Sequence, residues 1–148
     1  MSEKVLIDHG RLLDVLGLEV ELLVDASSRA RPDARVPAVP GLTLAETVRH
    51  VGSVYRLVLG WLQSGDRPTD WQREPAQGES VQQYLLDGYA QLAEELAKRD
   101  SYAAAGTWWP EDQTSGFWRR RMVHETTVHR TDVQSAASLE ELSLPWTP

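Results

Sequence analysis

The sequence contains no cysteine. That excludes disulfides, thiolate metal sites and a cysteine nucleophile, so any thiol chemistry must use a thiol brought in from outside. Positive charge is also short. Fifteen Lys and Arg against 22 Asp and Glu leave a formal net charge of −7, which argues against a general nucleic-acid binder, since those are basic. No apolar run approaches the ~18 residues of a membrane span, and the first residues lack the charged-then-apolar pattern of a secretion signal. The expectation is a cytoplasmic protein with neither membrane nor nucleic acid as partner. Repeats and long low-complexity segments are missing too.

What remains fits one ordinary domain over residues 1–148. A composition of 41% hydrophobic and 25% charged residues is that of a globular chain, long enough to bury roughly 68–70% of its unfolded surface. Periodicity divides it into four helices. The first is expected over about Val5–Ala26, with Leu6, Leu13, Leu16, Val20 and Leu23 on one face and His9 among them. Gly17 in its middle should cost ~1 kcal/mol relative to Ala. A connector rich in Arg and Pro follows. Its Arg29, Arg31 and Arg35 are read as solvated or as contacts for an anion.

The second helix starts at a capping box, Thr43 with Glu46. Its seam is Leu44, Val48, Val51, Tyr55, Val58 and Leu62, and His50 lies on the flanking row Thr47, His50, Val54, Leu57, Trp61. Gln63–Glu79 reads as a loop. Ser80 and Gln83 look like a second capping box opening a helix over Val81–Lys98, with seam Val81, Leu85, Tyr89, Leu92 and Leu96. Ser101–Gln113 is a non-helical crossing that holds Trp108 and Trp109. With Trp118 these plug the bundle or wall a pocket. The fourth helix is expected over Ser115–Ala137, with Ser138–Leu142 as one further turn and an irregular tail at Pro145–Pro148.

The fourth helix carries an unusual face: Trp118, Met122, Glu125, His129, Asp132, Ala136. Glu, His and Asp in a row cannot be buried without a partner or a metal. His124-Glu125 followed by His129 imitates the zinc-protease motif H-E-x-x-H but is not it, because residue 128 is Val. His124 and His129 stand about 140° apart around the helix, whereas Glu125 and His129 share a face at about 40°. This N/O pair suits zinc, nickel or ferrous iron but needs a third ligand. His50 is the best-placed one in the chain. The reading without metal makes Glu125, His129 and Asp132 a polar network.

Two stretches carry a family resemblance. Val36-Pro37-Ala38-Val39-Pro40-Gly41-Leu42-Thr43, leading into Val48-Arg49-His50-Val51-Gly52, resembles the "VP-x-x-PGWT…HL-x" element of the mycothiol-dependent maleylpyruvate isomerase family. Trp118 to Asp132 resembles its "RRM-x-HE-x-x-xHR-x-D" element. Leu42 stands where the family usually has Trp, and Thr131 where an apolar or aromatic residue is common. The resemblance implies an all-α, DinB-like four-helix bundle with long connecting loops. It also implies a divalent metal, usually zinc, on His50, Glu125 and His129. Asp132 would be a second-shell or pocket group. Arg121 is a pocket candidate, as are Arg119, Arg120 and Arg130, which would hold carboxylates; Arg121 can instead pair with Glu125.

The implied activity uses a mycothiol-like small thiol as cosubstrate with an electrophilic small molecule, in an S-transferase or isomerase reaction. Larger members of the family have a C-terminal domain that this chain is expected to lack. The reading from another class is a non-catalytic sensor or interaction bundle, in which a fourth protein ligand, with His9 as the candidate, closes the metal site. Oligomeric state is left open.

Overall fold

The computed structural model describes residues 8–143, which form four helices: α1 His9–Ser27, α2 Leu44–Ser64, α3 Val81–Lys98 and α4 Ser115–Ser143. The described residues contain no strand, only the isolated bridges Arg35↔Thr43 and Ala104↔Thr114. This is an all-α bundle of the DinB-like kind.

Side-chain caps decide where three helices begin. Asp8 is extended, at φ −78° and ψ 94°, and accepts from the Arg11 N–H. The first helix therefore starts at His9 rather than at Val5, because the capping carboxylate needs a non-helical backbone. Val5, Leu6 and the Pro145–Pro148 tail lie outside the described residues. Thr43 and Glu46 form the expected reciprocal box. The connector before them meets two more free donors of α2: Leu44 N–H gives to Ala34 O at 2.8 Å and Ala45 N–H to Pro32 O at 2.9 Å. The second box is only half made. Ser80 accepts from Gln83 N–H, but the Gln83 amide turns along the helix to Asp87 Oδ1 at 2.8 Å. At the far end α4 runs on through the further turn expected at Ser138–Leu142 to Ser143, and Glu140 accepts from the backbone and side chain of Arg31.

Cross-helix partners give the topology. His9 O receives Arg119, Glu19 receives Arg130, and Arg31 reaches Glu140, so α1 and α4 run parallel. Ser53 meets Tyr84 and Leu62 O receives Arg99, so α2 and α3 are parallel too. Trp61 on Trp118 and His50 beside Glu125 make α2 and α4 antiparallel. The order is up-down-down-up. Two consecutive parallel helices force the connector 65–80 to run back along the bundle, roughly 30 Å for helices of this length, which is why that loop is long.

The core follows the expected seams. On α2 all six seam residues are buried, and so is its flanking row except His50. On α3, Leu85, Leu92 and Leu96 are fully buried, as are Leu16 and Leu23 on α1. Two glycines let helices approach. A Cβ on Gly17 would stand 2.8 Å from the Tyr89 hydroxyl, and one on Gly52 would stand 2.8 Å from the Tyr84 ring. The helix-propensity cost of Gly17 is thus the cost of seating Tyr89 against α1.

Candidate metal centre

His50 on α2 faces Glu125 and His129 on α4. The Nε2 atoms of both histidines converge on one oxygen, Glu125 Oε1, at 3.3 Å from His50 and 3.1 Å from His129. The rings lie 5.2 Å apart at 72°. One ligand atom from each of the three residues falls within 4.8 Å of the others. The spacing predicted this on α4, since i, i+4 puts two side chains on one face. The antiparallel α2 adds the third. His124 is exposed on another face of α4.

Burial alone would raise the pKa of the Glu125 carboxyl. Hydrogen bonds and charge interactions from His129 and His50 more than reverse this and hold it far below the ordinary 4.5. Beyond His129 lies Asp132, its Oδ2 at 3.6 Å from His129 Nδ1. That nitrogen is buried and has no hydrogen-bond partner.

The tautomers of His129 test whether a cation fits. With the proton on Nε2, the ring donates to Glu125 but turns a bare Nδ1 lone pair on the Asp132 carboxylate. With the proton on Nδ1, it faces Asp132 correctly, but the Nε2 lone pair meets the Glu125 oxygen. A cation between Nε2 and Oε1 satisfies both ends, as does an imidazolium. Two imidazole nitrogens and one carboxylate oxygen are a donor set that suits zinc and its first-row neighbours. The residues present therefore fit the metal.

A depression of about 210 Å³ opens beside His50, lined by Leu42, Glu46, Arg49, His50, Ser53 and Gln72. The Trp71 ring is 6.3 Å from the His50 ring. Both long connectors thus contribute to the wall. Neither Trp71 nor Gln72 stood out in the sequence, because a Pro- and Gly-rich loop has no periodicity to say which residue turns inward. Tyr55 was visible only as a core residue. Its hydroxyl sits 2.5 Å from Thr126 Oγ1, one residue from Glu125. Thr126 spends its own proton on Met122 O, so Tyr55 is the donor.

Other sequence candidates lie elsewhere. His9 packs edge-on against Tyr102 and touches Gly116 at the start of α4. Thirteen residues of helix, about 20 Å, separate Gly116 from His129, so His9 is no filler for the site. Three of the four α4 arginines are already committed. Arg119 donates to the carbonyls of His9, Leu96 and Arg99. Arg120 pairs with Asp112. Arg130 grips both oxygens of Glu19, at 2.7 and 3.1 Å. Arg121 faces Glu125 Oε2 at 3.8 Å and the Trp108 ring at 5.3 Å. In the connector, Arg29 pairs with Asp25 and Arg31 with Glu140. Trp118 is the plug, fully buried, while Trp108 and Trp109 are 40% and 47% exposed.

No curated protein and no solved structure is significantly similar to this chain. The family model described as the mycothiol maleylpyruvate isomerase N-terminal domain matches residues 16–134, a span that holds His50, Glu125, His129 and Asp132. A match over most of the sequence decides the matter: the chain belongs to the mycothiol maleylpyruvate isomerase N-terminal domain family.

Proposed function

We propose that this chain is a divalent-metal-dependent enzyme that uses a small, mycothiol-like thiol in an S-transferase or maleylpyruvate-isomerase type of reaction. The observation that carries this reading is the convergence of His50, Glu125 and His129 on one point. A bound divalent ion, zinc above nickel or iron, supplies the Lewis acidity that lowers the pKa of a thiol and stabilises it as the thiolate.

The protein residues do the rest. His50, Glu125 and His129 are the three ligands, and among the described residues the group has no fourth member. That supports an open position of the catalytic kind. The Asp132 carboxylate, 3.6 Å from His129 Nδ1, favours the tautomer that keeps its proton on Nδ1 and turns the Nε2 lone pair inward. Trp71 and Leu42 give the His50 side two apolar contacts beside the polar Glu46, Arg49, Ser53 and Gln72. The lack of cysteine in the chain means that the sulfur belongs to the cosubstrate. The thiolate either displaces a leaving group from an electrophile or adds to a cis double bond, allows rotation and departs. A reducing cytoplasm keeps such a thiol available. Among the described residues no helix is long and apolar enough to cross a membrane.

The test is consumption of a small electrophile by the zinc-loaded protein, with and without thiol. Thiol-dependent turnover that vanishes in His129→Ala is the expected result. Thiol-independent turnover, or none with any thiol on a metal-loaded protein, favours the non-catalytic reading.

A further inference from the structure

Arg121 is spent differently from the other cations near this site. Its neighbours on α4 each have close oxygen partners: Arg119 three carbonyls, Arg120 the Asp112 carboxylate, Arg130 both oxygens of Glu19. On the facing helix, Arg49 pairs with Glu74 at 3.0 Å. Arg121 Nε is buried and has no hydrogen-bond partner. The oxygen its Nη2 faces, Glu125 Oε2, is 3.8 Å away, beyond hydrogen-bond reach. The guanidinium lies near the face of Trp108, 5.3 Å from the ring centroid, which orients the planar fork without using its N–H donors. The side chain is 37% exposed, so a ligand can reach it.

Two features place it functionally. Arg121 stands one helical turn before Glu125, so its charge lies within a few ångströms of the convergence point. It also lies on the Oε2 side, whereas both histidines converge on Oε1. Glu125 turns Oε1 to the two imidazoles, and an ion held there would offset its charge, which leaves the arginine fork free. A planar fork with unspent donors is built for a carboxylate.

We propose that Arg121 anchors a carboxylate of the ligand whose other end reaches the metal position. It is the specificity-determining residue that selects an anionic ligand over a neutral one. This rests on the metal-and-thiol reading above and adds the second point of attachment.

The test uses 3-mercaptopropionate and its neutral amide, two probes that differ at the carboxyl end. Each is titrated calorimetrically into zinc-loaded protein, wild type, Arg121→Gln and Arg121→Lys. The wild type is expected to bind the acid roughly tenfold or more tightly than the amide, the size of one charge-assisted hydrogen bond. Arg121→Gln should lose that preference with its zinc content and amide affinity intact, and Arg121→Lys should keep part of it. Equal binding of both probes by the wild type overturns the assignment, as does a preference that survives in Arg121→Gln. A protein that takes up no zinc, or that holds zinc and binds neither thiol, overturns the reading beneath it as well, and the zinc content tells these cases apart.

Discussion

At one end of the α2–α4 contact, Trp61 meets Trp118 with ring centroids 5.3 Å apart, and Phe117 and Trp108 close around them. At the other end the same two helices bring together His50, Glu125 and His129. At the aromatic end Trp118 needs nothing further: it is fully buried, and its indole N–H donates to Gly106 O at 3.0 Å. The polar end leaves lone pairs facing one another. Between them sits the buried Tyr55–Thr126 hydrogen bond. Along about three turns of α4 the helix pair changes from aromatic packing to a polar cluster. Aromatic packing is concentrated at one end and the metal-ligating residue types at the other. The comparison teaches that a site can be carried on rigid elements if strain from its unmatched polar groups is offset by packing a few turns away.

Two substitutions probe this division. The largest expected effect comes from Trp118→Ala, which opens the aromatic end and should cost about 3–5 kcal/mol. Denaturant unfolding would measure it, and the surviving folded protein should still bind metal. A loss under about 1 kcal/mol would mean that the aromatic end is not where the stability lies.

Tyr55→Phe at the boundary is a smaller change. It strands the Thr126 oxygen and should cost about 1 kcal/mol at neutral pH. It also has a pH signature. Burial, the largest influence, pushes the Tyr55 phenol well above its ordinary value of 10. The folded state keeps the proton where the unfolded chain loses it. Stability is therefore complete below about pH 10 and falls as the pH rises toward the folded value. Urea titrations above about pH 10 should show that fall in wild type and a flatter profile in Tyr55→Phe.

Much of this was legible in the sequence, and the reasons are local. Thr43 with Glu46 marked the start of α2, Ser80 the start of α3, and the 3.6-residue pattern gave the buried face of α2 residue by residue. The Glu125, His129 and Asp132 face stood out because polar residues interrupted an apolar seam. What stayed hidden depends on distant partners. A run of arginines reads as a solvated face. Nothing near Arg119 says that the carbonyls of His9 and Leu96 await it, and nothing near Arg130 points to Glu19. The start of α1 was misplaced because Asp8 was passed over as its cap, and nothing near Glu140 says that Arg31 on a remote connector holds the last turns of α4. Trp71 reaches His50 only because the parallel α2 and α3 stretch the 65–80 connector past that end of the bundle.

The central claim is that the polar end holds a metal through His50, Glu125 and His129. Elemental analysis of the tag-free protein, beside His50→Ala and Glu125→Ala, tests it most directly. About one equivalent of zinc or a related divalent ion in the wild type, lost from both variants while their helical content stays unchanged, is the predicted result. A wild type that holds no metal after zinc is added back, or variants that keep it in full, would contradict the account.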